Sequence, residues 1–185
     1  MERFFNTAGP QKADINYTID PLSRFNLDEI LSLIRQQRYF VLHAPRQTGK
    51  TSCLLALRDY LNERDDYIAV YANVEGGQAS RNDVQSVIKS TVDTLAEQFR
   101  GIIKNDLPLT LRDEIQSVGK DSMLATYLRR LSENLQKPIV LLVDEIDALV
   151  GDSLVSILRQ IRSGYTDRPS AFPQSVVLCG VRDVR

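Results

Sequence analysis

The sequence predicts an α/β fold, a three-layer αβα sandwich on a parallel sheet. Two observations carry that reading. Short apolar runs alternate along the chain with longer segments of helical period, as strands joined by right-handed helical crossovers do. The runs themselves, YFVLH at 39–43, YIAVYANV at 67–74, IVLLV at 139–143 and SVVLC at 175–179, show no polar alternation, so each strand is covered on both faces.

Residues 1–25, with Gly9, Pro10 and Pro21, keep no sustained period and read as an irregular leading arm before a core spanning 26–185. Asn26, with Glu29 three residues on, has the pattern of a helix cap, and Leu27, Ile30, Leu31 and Ile34 form the apolar face behind it. The first strand follows, then a turn holding Pro45 and Gly49, then a helix burying Leu54, Leu57 and Leu61. After the second strand the chain breaks at Gly76-Gly77. Val84, Val87, Ile88, Thr91, Val92, Leu95 and Phe99 then trace a long amphipathic helix. Pro108 and Gly119 bracket an irregular or short helical stretch, and Leu124, Tyr127, Leu128, Leu131 and Leu135 mark a helix stopped by Pro138. Leu154, Ile157, Leu158 and Ile161 supply the last helical stripe before the fourth strand.

The chain's 185 residues suit one domain, and 43% apolar with 25% charged residues is ordinary for a soluble globular protein. A net charge of −1 argues against a large nucleic-acid footprint and leaves room only for a local basic patch. Cys53 and Cys179 fit no metal spacing and read as buried thiols in a reducing compartment. With neither a membrane-length apolar run nor a secretion signal at MERFFNTAGP, the expected location is cytoplasmic.

Chemistry concentrates at Ala44-Pro45-Arg46-Gln47-Thr48-Gly49-Lys50-Thr51, between the first strand and the next helix. The segment matches a phosphate-binding loop, with Ala44 where the first glycine is usual. Such a loop turns successive N–H groups toward a phosphate chain, and the helix start adds favourable field for an anion. Gly49 lets the backbone approach, Lys50 reaches the β- and γ-phosphates, and the Thr51 hydroxyl ligates Mg²⁺, with Ser52 beside it. The second motif is IVLLVDE, an apolar strand ending in two acids. Asp144 is placed to hold the magnesium shell, and Glu145 to orient or deprotonate water. Asp147 reads as a turn acid or helix cap that could also support the metal, and His43 as packing.

APRQTGKT with the downstream IVLLVDEID resembles the ASCE branch of P-loop ATPases, and within it AAA+ and STAND ATPases. The DEID form is similar to that of origin-recognition-like and Cdc6-like ATPases and of bacterial AAA-like proteins. The resemblance covers residue 26 to about 180. It implies a P-loop NTPase sheet of order 5-1-4-3-2 and binding of ATP/ADP with Mg²⁺. It also implies that the arm passes beside the adenine, which makes Tyr17, Pro21, Leu22 and Arg24 candidates for base contact. The fourth strand should end in a polar sensor residue. Here Gly180 and Val181 come first, and Arg182 is the candidate substitute. Arg159 and Arg162 are candidates for an arginine finger acting on a neighbouring subunit, and Arg46 for a phosphate or subunit contact. The fifth strand and the helical lid are missing, so the chain is expected to be the front of a larger ATPase, with an open edge at its first strand, a tendency to self-associate, and weak binding and turnover.

The function implied is Mg-ATP hydrolysis that drives conformational change in a larger protein. The alternative is a STAND-like switch that mainly binds ATP with little turnover. A small-molecule kinase fits less well, because Glu145 directly after Asp144 suits water activation, and the absence of an NKxD segment argues against a GTPase.

Overall fold

A computed structural model describes residues 3–5, 14–80 and 83–181, with backbone alone at 78–80. It shows the expected α/β fold. Four strands, Tyr39–His43 (β1), Ile68–Asn73 (β2), Ile139–Asp144 (β3) and Ser175–Gly180 (β4), form one parallel sheet of order β1-β4-β3-β2. This is the expected order over the four strands that could be read. Among the described residues β1 pairs only with β4, so one of its sides is an edge.

Among the described residues six α-helices connect and cover the strands: Leu27–Arg35 (α1), Lys50–Glu63 (α2), Val84–Ile103 (α3), Leu107–Glu114 (α4), Met123–Asn134 (α5) and Gly151–Ser163 (α6). Asn26 caps α1 as its spacing suggested, its side-chain oxygen accepting from the Glu29 N–H at 3.2 Å. The stretch between Pro108 and Gly119 resolves into α4, with Pro108 in the first turn, where its missing N–H costs nothing. Of the arm, residues Pro21–Arg24 form a single 3₁₀ turn. Cys53 Sγ ties that turn to α2 by donating to the Pro21 carbonyl at 3.3 Å, and Leu22 packs into the core beneath.

The strand period of two sorts the core into two layers. Ile139, Leu141 and Val143 of β3, with Val176 of β4, pack toward α3, α4, α5 and α6. Val140 and Leu142, with Val177 and Cys179, pack toward α1 and α2, where Leu54, Leu57 and Leu61 are buried as the sequence predicted. β3 is buried along its whole length, consistent with its unbroken apolar run.

One polar side chain binds two helices on the first of these faces. Gln160 of α6, 3% exposed, accepts from the N–H groups of Leu124 and Ala125 at 2.9 and 3.3 Å, capping the start of α5. Its amide nitrogen donates to the Lys120 carbonyl at 2.8 Å and to Ser156 Oγ at 3.1 Å.

Candidate functional site

Register sets the site. His43 pairs with Gly180 and Asn73 with Asp144, so the C-terminal ends of all four strands share one rim. β1 feeds the 44–49 loop into α2 at that rim. Asp144 has the parity of Val140 and Leu142, which turns its carboxylate toward α2.

The first turn of α2 meets it there. Thr51 Oγ1 donates to Asp144 Oδ2 at 2.7 Å. Tyr71, from the same face of β2, donates its hydroxyl to the same oxygen at 3.0 Å, and the Glu145 N–H donates to Asp144 Oδ1 at 3.0 Å. The residue is completely buried, so these three donors replace the water its carboxylate has given up. Burial and the neighbouring Asp144 charge push the Tyr71 hydroxyl well above its usual range, which keeps it a donor.

The loop is bent by two left-handed residues, Gln47 at φ 59° and Gly49 at φ 81°. Gly49 is needed for space as well, since a Cβ there would lie 2.7 Å from Arg24 Nη1. Lys50 Nζ donates to the carbonyls of Ala44 and Pro45 at 3.0 and 3.1 Å, and Thr48 Oγ1 donates to the Pro45 carbonyl at 2.8 Å. A cavity of about 280 Å³ opens beside the loop, walled by Arg24, Phe25, His43, Ala44, Thr48, Lys50 and Cys53.

Glu145 starts the turn after β3 in a left-handed conformation, φ 57°. Burial, then Asp144, Asp147 and Glu75, hold its carboxyl above the ordinary range, with Lys50 opposing. Asp147 does not cap α6, whose cap is Val150; its Oδ2 accepts from the Val181 N–H at 3.2 Å at the end of β4. Cys179 lies against Asp144 on the sheet, and burial, reinforced by that carboxylate, pushes its thiol up to about 12.

The structure therefore brings Lys50, Thr51, Asp144 and Glu145 to one rim, with Arg46 and Gln47 exposed in the loop and Ser52 half-buried in the first turn of α2. Of the arm candidates only Arg24 reaches the loop cavity. Tyr17 is 53% exposed and stacks on Phe5 at 4.8 Å. His43 is exposed on the cavity wall, where the sequence suggested packing. Arg159 and Arg162 lie on the opposite side of the sheet, Arg159 in a cavity of about 600 Å³ between α5 and α6 and Arg162 near Tyr39 and Tyr165. Arg182, the proposed sensor substitute, lies outside the described residues. Among the described residues no cluster of three or more His, Cys, Asp or Glu could hold a metal, and no helix is long and apolar enough to cross a membrane.

The family model of the AAA domain matches residues 34–185, a span that takes in the loop, the acidic strand and all four strands of the sheet. The chain belongs to the AAA domain family. As a member it is an ATP-binding module of the P-loop ATPase class. No curated protein matches it. A solved structure titled as Drosophila ORC bound to poly(dA/dT) DNA and Cdc6 is similar over 85% of this chain, at 12% identity and a TM-score of 0.49. This chain covers 24% of the length of that one.

Proposed function

We propose that this AAA domain binds Mg-ATP at residues 44–52 and hydrolyses it, and that the cycle drives conformational change in a larger protein. The observation that carries the reading is the 2.7 Å contact between Thr51 and Asp144, which unites the ends of two motifs read separately in the sequence. A hydroxyl and a carboxylate are hard oxygen donors. Magnesium is commonly held by one or two such groups together with substrate phosphate oxygens and water. Thr51 and Asp144 would hold the ion, which when bound offsets phosphate charge.

The chain's own groups supply the rest. Backbone N–H groups of the loop, from Arg46 to Gly49, would face the phosphates, and the Lys50 ammonium would exchange its two carbonyl partners for phosphate oxygens. The raised affinity of Glu145 for a proton suits a base that accepts one from water. The unpaired side of β1 supports self-association, which sedimentation with and without ATP would check. Two free cysteines favour a reducing compartment such as the cytoplasm.

One observation favours the switch reading instead: β4 ends in Cys179 and Gly180, with Val181 next, so among the described residues its rim end offers no hydroxyl or amide side chain. Steady-state phosphate release separates the two. Glu145→Gln should bind Mg-ATP as the parent does while turnover collapses, and Asp144→Asn should weaken magnesium-dependent binding. A parent chain that binds ATP without multiple turnovers would favour the switch.

A further inference from the structure

We infer that Asp147 is a positioning residue that ties the Glu145 turn to the end of β4 and so fixes the backbone carrying the Glu145 carboxylate. The inference rests on the reading of Glu145 as the base.

Glu145 is not glycine yet sits at φ 57°, a conformation an L-residue adopts only when its surroundings hold it there. Three anchors are visible. The Glu145 N–H is bonded to Asp144 Oδ1, Ile146 is fully buried in the α3–α6 layer, and Asp147 Oδ2 accepts the Val181 N–H. The first two fix the turn to β3 and to the core. Only the third crosses to the neighbouring strand.

The end of β4 is shaped for this contact. A Cβ on Gly180 would lie 2.5 Å from Asp147 Oδ1 and 3.0 Å from its Cγ. Gly180 has no left-handed backbone to explain a glycine, so what the position requires is space, and the Asp147 carboxylate fills it. The rim slot that β4 leaves without a side chain of its own is thus occupied from the β3–α6 turn. Asp147 Oδ1 is buried and has no hydrogen-bond partner among the described residues, an unfavourable state that a simple solvated turn acid would not hold. Asp147 does not cap α6, so helix capping does not account for it.

The test uses Asp147→Ala, which removes the acceptor, Gly180→Ala, which displaces the carboxylate without touching it, and Asp147→Asn, which keeps an acceptor. Amide exchange at Val181 and across 144–148 should accelerate at least about tenfold in the first two and be largely restored in the third, because the tie controls local opening. Turnover should fall about tenfold or more in the first two with KM for ATP changed little, since misplacing a catalytic group mainly costs kcat. Asp147→Asn should recover most of it. Unchanged exchange in both disruptive variants would overturn the tie. Faster exchange with unchanged kcat, or an equal loss in affinity and kcat, would overturn the positioning role. Glu145→Gln is the control for the underlying reading: if it turns over like the parent, the base assignment and the positioning role fall together, and exchange alone decides whether the tie exists.

Discussion

Thr51 Oγ1 lies 2.7 Å from Asp144 Oδ2 although the residues are 93 apart in sequence. The contact exists because α2 starts directly after the loop and because Asp144 has the strand parity that faces α2. Two short motifs become one site through the register of a parallel sheet.

Lys50 is the first place to test that site. Its ammonium holds the Ala44 and Pro45 carbonyls and is the loop cation next in line for phosphate. Charge-assisted contacts of this kind are worth roughly 1.5–3 kcal/mol each, so Lys50→Ala should lower ATP affinity at least about tenfold. Titration calorimetry showing unchanged affinity would reject the loop as the phosphate site.

Gly49→Ala should destabilise the fold even without nucleotide. The φ of 81° costs an L-residue about 1–2 kcal/mol, and the new methyl also meets Arg24 Nη1. Because Arg24 is a flexible side chain, adding Arg24→Ala should relieve the contact and leave the backbone cost. Urea midpoints of the single and double variants measure the two parts.

Tyr71→Phe removes one of three donors to the buried Asp144 carboxylate. Tyr71 is half-buried and Thr51 shares the same acceptor oxygen, so the loss should be near the low end for a hydrogen bond to a charge, about 1.5 kcal/mol. The expected signature is a lower denaturant midpoint with an unchanged slope; an unchanged midpoint would show that the bond contributes nothing net.

The thiols should differ from free cysteine. A raised thiol pKa leaves less thiolate, the reactive form, and Cys179 at about 12 has on the order of one part in 10⁴ ionised at pH 8. Iodoacetamide at pH 8 should therefore leave Cys179 unmodified in the folded protein and modify it in urea. Cys53, half-buried and also raised by burial, should react slowly. Peptide mass mapping reads both; rapid labelling of Cys179 in the native state would contradict its burial.

The layering was legible because the apolar runs of 139–143 and 175–179 have no alternation, and the loop because Gly49-Lys50-Thr51 sits between a strand and a helix. Tyr71 was not. In sequence it is one more aromatic strand former, and its role depends on the Asn73–Asp144 register, which local pattern does not encode. Asp147's role escaped for a similar reason: spacing places it in a turn, while its partner lies just past β4, 34 residues later. Arg24 could be assigned to the arm but not to the glycine it covers, since irregular segments carry no period from which to infer direction.

Gln160 has a mechanical consequence. All of its amide's hydrogen bonds run to α5, to the Lys120 segment before it, or within α6, so the side chain links the two helices at one buried point beside the cavity between them. α5 and α6 are therefore tied as one unit. The turn of Ile146–Ala148 at the strand rim lies just ahead of α6. A displacement of α6 at the rim would carry α5 with it.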